Sequence, residues 1–192
     1  ILVWKDFFYQ GLLHIWIGFD HMLFLFVLLL TAVLVLRGQV WEPAPRFADA
    51  FFNTVKIIIA LMISHSITLA LAVLGLVSVP AAPIEAIIAL SIMVVALNNV
   101  FHFFKSHTWV LVFVFGLAHG LGFASALGDL QFRSVGIKKI LVMFNVGVEA
   151  GQLFVIFLVL PVLFYFRKYR GYRQIAMPAL SWVAFVLSSY WL

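Results

Sequence analysis

Long uninterrupted apolar runs set the first limit on how this chain can fold. Six stretches, near Phe8–Leu36, Lys56–Val79, Pro83–Phe104, Thr108–Gly128, Lys139–Phe166 and Gln174–Leu192, offer the roughly 20 apolar residues that a helix needs to cross a hydrocarbon core. Their apolar residues are continuous rather than alternating, which excludes the strands of a membrane barrel. The chain is 66% hydrophobic and 10% charged, with a mean hydropathy of +1.18. A soluble domain is roughly half apolar and about a quarter charged, so this chain cannot cover itself with polar surface in water. The reading is an all-α integral membrane protein, a single domain over residues 1–192 built as a bundle of about six transmembrane helices. The first and fifth runs exceed one crossing, which predicts tilted, kinked or protruding helices. The polar connections Arg37–Val55 and Asp129–Lys138 are too short for a soluble module.

The formal charge of +5 does not point to nucleic acid, because the basic residues sit in short segments between apolar runs, where membrane proteins carry orientation signals. Lys5, Arg133, Lys138 and Lys139 fall on the side of the N-terminus. Arg37, Arg46, Lys56, Lys105, Arg167, Lys168, Arg170 and Arg173 fall on the other. Eight against four predicts that the second side is cytoplasmic and both termini are not, in a bacterial inner (plasma) membrane. The sequence starts at Ile1 and shows no signal peptide of its own. It has no Cys, so thiolate metal sites, iron–sulfur ligation, disulfides and Cys nucleophiles are excluded.

An ionisable side chain at mid-bilayer costs about 2.5–3.5 kcal/mol on insertion scales, so such residues turn inward and usually have a function. The first run reads Gly11-Leu-Leu-His14-Ile-Trp-Ile-Gly18-Phe-Asp20-His21, and the second carries Ser64-His65-Ser66 and Thr68. The third has Glu85 and Asn98-Asn99, the fourth Gly116-Leu-Ala-His119-Gly120, and the fifth Asn145, Glu149 and Gln152. On a helix His14, Gly18 and His21 form one stripe, and Asn145, Glu149 and Gln152 another. His14 and His21 stand about 10.5 Å apart on an ideal axis, too far to share one ion. Either they serve successive sites along a path or the helix opens at Gly18. The orientation favours a path, with His14 and Glu85 in the outer half and Asp20, His21, His65, His119 and Glu149 deeper.

Structural roles compete with these readings. His65 alone reads as hydrogen-bonded packing, and Ser64, Ser66, Thr68 and the glycines as the small residues that let membrane helices approach. Asn98 and Asn99 read as helix caps or pairing groups, and His102 and His107 as interfacial. The set carries the argument: four His, one Asp and two Glu over five runs are too many polar groups for packing.

At these residues the chain resembles the HupE/UreJ family of small integral membrane proteins. The stretches that carry the resemblance are His14-Ile-Trp-Ile-Gly-Phe-Asp20-His21-Met-Leu-Phe, Ser64-His65-Ser66-Ile-Thr-Leu, Glu85 leading to Ala89-Leu-Ser91, Phe115-Gly-Leu-Ala-His119-Gly-Leu-Gly-Phe-Ala124 and Phe144-Asn145-Val-Gly-Val-Glu149-Ala-Gly-Gln152. The resemblance implies nickel- or cobalt-type metal handling, with a first helix that carries a His followed by an Asp-His pair. Imidazole and carboxylate suit nickel, cobalt and zinc alike, so the expected cargo or bound ion is a divalent transition-metal ion of that class. The candidate metal residues are His14, Asp20, His21, His65, His119, Glu149, Glu85 and Asn145.

The expected function is thus a permease or binding protein for such an ion, and not an enzyme. Two other readings stay open: an intramembrane metal-dependent hydrolase, and an accessory subunit of a larger membrane complex. The hydrolase lacks a His-Glu-x-x-His signature, and Ser125 lies outside a Gly-x-Ser-x-Gly turn. Expected partners are the lipid bilayer and the metal ion, with a homo-oligomer or larger membrane complex as the assembly. Finally, Gly11-Leu-Leu-His14 and Gly116-Leu-Ala-His119 open similar segments three helices apart, which predicts two halves of opposite topology, a 3+3 inverted repeat.

Overall fold

The structure, a computed structural model, describes residues 2–104, 108–127 and 137–192. Lys105, His107 and Arg133 lie outside the described residues. The elements are α1 (Leu2–Ile17), α2 (Phe19–Ala32), strands β1 (Leu34–Arg37) and β2 (Val40–Pro43), then α3 (Phe47–Val73), α4 (Ala81–Phe101), α5 (Thr108–Leu127) and α6 (Ile137–Phe166). A π-helical turn, Tyr172–Ala176, leads into α7 (Met177–Ser189).

The pattern of burial is inverted relative to a soluble helix. On α3, Ile59, Ile63 and Ile67 are 46%, 51% and 44% exposed, whereas Ser64, His65 and Thr68 are 0%, 5% and 7% exposed. Large apolar side chains on α6 and α7, among them Phe157, Leu158, Val162, Val183 and Val186, also face outward. Such an outer face is stable against hydrocarbon and not against water, while the buried hydroxyls bond to backbone within their own helices, as Ser64 does to the Leu61 carbonyl at 2.8 Å.

Among the described residues α3, α4 and α6 are long and apolar enough to cross a membrane, and α1 with α2 adds a fourth crossing if the bent pair is one span. The six crossings expected from the sequence are therefore not reached by helix length alone. Three boundaries also differ from expectation. The first run does not continue as helix to Leu36: it bends by 67° at Gly18 and ends at Ala32. Residues 34–43 instead form an antiparallel hairpin in which Arg37 faces Val40, leaving Gly38-Gln39 as a two-residue loop. Gly38 has φ +67°, the positive value such tight hairpin loops require. The connection Arg37–Val55 is thus not a plain linker. Its last part is helix from Phe47, with Arg46 and Asp49 paired at 2.9 Å across the first turn. At the other end of α3, Gly75 (φ +71°) closes a Schellman motif in which Leu76 N–H reaches the Leu71 carbonyl at 3.0 Å.

α2 is the central helix. Its buried residues Phe24, Leu25, Val27, Leu28, Leu29 and Leu30 pack on one side with Ile58, Ile156 and Leu160, and on the other with Leu61, Ile92, Val95 and Val112. Around it, the most extensive helix pairs are α3 with α5 and α1 with α6. Both crossings are made by glycine. A methyl group at Gly11 or Gly147 would collide with the carbonyl oxygens of Phe144 or Phe8 across the α1–α6 contact, and one at Gly116 or Gly120 would strike Ser64 or Thr68 across the α3–α5 contact. Bare backbone against backbone is how helices gain van der Waals contact in lipid, where apolar burial offers no advantage.

These crossings predict a clear stability difference. Gly147→Leu should destabilise the folded protein by roughly 1–3 kcal/mol or prevent folding, as overpacking does. Gly171→Ala should be neutral, since nothing lies within 4 Å of a Cβ there. Thermal denaturation in detergent, followed by size-exclusion profile, distinguishes the two.

Candidate metal centre

The bend at Gly18 brings the chemistry of the first run together. Gly18 N–H still bonds to the His14 carbonyl at 2.9 Å, but its ψ of 92° is extended, so α2 restarts in a new direction. A Cβ at Gly18 would lie 2.6 Å from the His14 carbonyl oxygen and 3.0 Å from His21 Nδ1, so only glycine leaves room for the ring beside it. His14, in the last turn of α1, and His21, in the first turn of α2, end with ring centres 4.5 Å apart. The separation of two full turns expected for a straight helix is removed, and with it the placing of His14 at a different depth from His21.

α3 and α5 complete the group. The His65 ring lies 6.4 Å from His14 and 6.1 Å from His21, and the His119 ring lies 5.2 Å from His21. Gly120 holds α5 against the backbone of His65 itself, so the crossing that packs the helices also fixes these two imidazoles. Phe24, 4.8 Å from His119, and Phe144, 5.6 Å from His14, supply apolar walls.

Hydrogen bonding sets which nitrogen each ring presents. Asp20 Oδ1 lies 3.0 Å from His21 Nδ1, and the Phe115 carbonyl lies 2.9 Å from His119 Nδ1. Carboxylate and carbonyl oxygens only accept, so both Nδ1 atoms carry the proton, and Nε2 keeps the lone pair in the neutral ring. This is the outer-sphere arrangement that orients histidine toward a metal. The Nε2 atoms of His21, His65 and His119 are buried with no hydrogen-bond partner among the described residues. No group of three or more His, Asp or Glu side chains among the described residues is placed to hold a metal ion as it stands.

The remaining candidates fall elsewhere. Asn145 and Glu149, on α6, line a small cavity that His65 and Ser66 close from α3. Gln152 lines it too and is buried, its Oε1 without a partner. It belongs to the Asn145–Glu149 stripe by spacing, and that spacing is the signal in the sequence that marks it. Glu85 is exposed on α4 and stands outside the group, because the residues that turn inward beside it are Ile84 and Ile88. Asn98 and Asn99 are structural: Asn99 Nδ2 donates to the Val27 carbonyl at 2.9 Å, and Asn98 Oδ1 accepts from Phe104 N–H at 2.8 Å. His102 caps α4 at φ 60° with its ring 5.2 Å from Trp41.

A helical bundle with an apolar exterior, a broken first span and an imidazole-rich interior defines a membrane protein built to hold polar chemistry inside lipid. The family model described as HupE / UreJ protein matches residues 2–192, and the chain belongs to that family. That family is associated with nickel- and cobalt-related metal handling, and it is one of transporters and accessory proteins rather than enzymes. No curated protein and no solved structure matches the chain.

The Asp20–His21 bond makes a specific prediction. Asp20→Asn removes the charge and the obligate acceptor while keeping the shape, so Co²⁺ affinity of the purified protein should fall about 10- to 100-fold with the fold intact. Isothermal titration of Co²⁺ into wild type and Asp20→Asn reads the effect. Unchanged affinity in Asp20→Asn would remove the carboxylate from the site.

Proposed function

We propose that the protein is a permease for a divalent transition-metal ion of nickel or cobalt type, with His14, Asp20, His21, His65 and His119 as its first intramembrane binding group. The carrying observation is the buried set of imidazoles whose Nε2 atoms, at His21, His65 and His119, meet no hydrogen-bond partner among the described residues. Leaving a buried acceptor unsatisfied costs about 1–3 kcal/mol each, a cost that a transient cation removes. Nitrogen and carboxylate ligands without thiolate bind such ions exchangeably, as transport requires. Asp20 offsets part of the charge of a dication in lipid.

The proposal includes six crossings in a 3+3 inverted repeat. The contacts Gly11–Phe144 and Ile15–Gly151 of the α1–α6 pair have counterparts in Gly116–Leu61 and Gly120–Thr68 of the α5–α3 pair. The offset is 105 residues from Gly11 to Gly116, from Ile15 to Gly120 and from His14 to His119, and 83 residues from Leu61 to Phe144 and from Thr68 to Gly151. In both pairs the contacts climb together along the two helices, so the partners run parallel, as first and fifth, and second and fourth, crossings of an alternating bundle must. Inverted repeats with a broken helix at the midplane are a recurrent transporter plan. The charge split supports termini on the non-cytoplasmic face.

Two measurements test this reading. In proteoliposomes, wild type should accumulate Co²⁺ or Ni²⁺, His14→Ala with His21→Ala should abolish uptake, and His102→Asn, which tolerates the left-handed cap, should transport normally. Metal-independent behaviour of all three would leave the accessory-subunit reading. Cysteines at Gly38 and Gly171 should both be labelled only from the cytoplasmic side, and labelling of either from outside would overturn the orientation.

A further inference from the structure

We infer that the small cavity between α3 and α6 is a second cation site, lined by His65, Ser66, Asn145, Glu149 and Gln152, which exchanges the ion with the histidine group through His65. This rests on the permease reading above and adds a second, chemically different station to it.

The cavity measures about 10 Å³, close to the least space that holds one water molecule or ion. Its lining is unusual for a void inside an apolar bundle. His65 and Gln152 are each only 5% exposed, both face the cavity, and His65 Nε2 and Gln152 Oε1 have no hydrogen-bond partner among the described residues. Both atoms are acceptors when the imidazole is neutral, and the Glu149 carboxylate and the Asn145 amide oxygen add further acceptors. A water molecule brings two donors to such a set, whereas a cation meets every lone pair at once.

The cavity also falls where the two halves meet. With the 83-residue offset that relates α3 to α6, Met62 corresponds to Asn145, His65 to Val148 and Ser66 to Glu149, and all six line the cavity. It therefore lies on the axis relating the repeats, the place where transporters of this plan bind their ions. Because the mates differ, one half supplies the imidazole and hydroxyl and the other the carboxylate and amide. The histidine group offers mainly nitrogen ligands and this cavity mainly oxygen ligands, so a nickel- or cobalt-type ion is held more weakly here. His65 belongs to both, with its ring 6.1 Å from that of His21 while it lines the cavity.

Co²⁺ titration of the purified full chain in detergent tests the inference. Wild type should bind two ions in a tight and a weak class. Glu149→Gln, which is isosteric, and independently Asn145→Ala should weaken the weak class at least about tenfold and leave the tight class unchanged. His14→Ala with His21→Ala should do the reverse. If both Glu149→Gln and Asn145→Ala titrate as wild type, or if either abolishes a single class shared with the histidines, the second site does not exist although the permease reading stands. If wild type binds no Co²⁺ at all, the permease reading fails first and the second site with it.

Discussion

Backbone contact at four glycines holds this molecule together and decides where its polar residues meet. In lipid a helix gains nothing by hiding leucine, so helix pairs are selected by how closely their backbones approach. Gly11 and Gly147 set the α1–α6 crossing, and Gly116 and Gly120 set the α3–α5 crossing. Each crossing is within one turn of a histidine of the group: Gly11 precedes His14 by three residues, and Gly120 follows His119 directly while touching the backbone of His65. Packing and site are thus one arrangement. A larger residue at Gly120 would move His119 away from His65 at the same moment as it separated the helices.

The opposite end of the central helix is fixed by hydrogen bonds rather than by close approach. The last carbonyls of α2 have no helical partner. Tyr172 hydroxyl donates to one of them, the Leu30 carbonyl, at 2.6 Å, and Asn99 Nδ2 donates to the Val27 carbonyl, about a turn earlier, at 2.9 Å. Trp41, on the hairpin, donates to the Asn99 carbonyl at 2.9 Å, and Arg167 donates to the Ala44 carbonyl at 2.9 Å. The hairpin therefore does not hang free but is tied to α4 and to the end of α6. Polar bonds thus hold the end of α2 remote from Gly18.

The helical class, the membrane setting and the family were legible because each follows from patterns that survive without coordinates: apolar run length, charge placement and the spacing of His14, Asp20 and His21. The hairpin was not. Leu34-Val35-Leu36 continues the apolar run of α2, and nothing in hydropathy marks the change of backbone; only Arg37-Gly38-Gln39 signals a turn, and it reads equally as the start of a linker. The bend at Gly18 was one of two alternatives the spacing allowed, and the path of separate stations through His14 and His21 was the other. Sterics decided between them, since the bend brings the two rings within 4.5 Å. Glu85 stands outside the histidine group for a general reason: burial cost argues that an ionisable residue in the hydrocarbon turns inward, but a residue in the first turns of a helix can reach the interface instead.

On the proposed repeat the two halves share a packing plan and differ in chemistry, and the difference has a physical consequence. By the 105-residue offset the partner of Gly18 is Phe123, and α5 passes through that position as unbroken helix from Thr108 to Leu127. Only the first half opens its helix, so only the first half can offer an aspartate–histidine pair from a fresh helix N-terminus, where the first-turn acidic residue Asp20 is also favoured by the helix dipole. A fully symmetric pair of halves would give a cation the same ligands from either side and no reason to prefer one direction of handover. In the proposed permease nitrogen ligands gather around the broken helix and oxygen ligands around α6, with His65 between them. A gradient of ligand character along one short path is what lets an ion be held firmly enough to leave water and loosely enough to leave the protein.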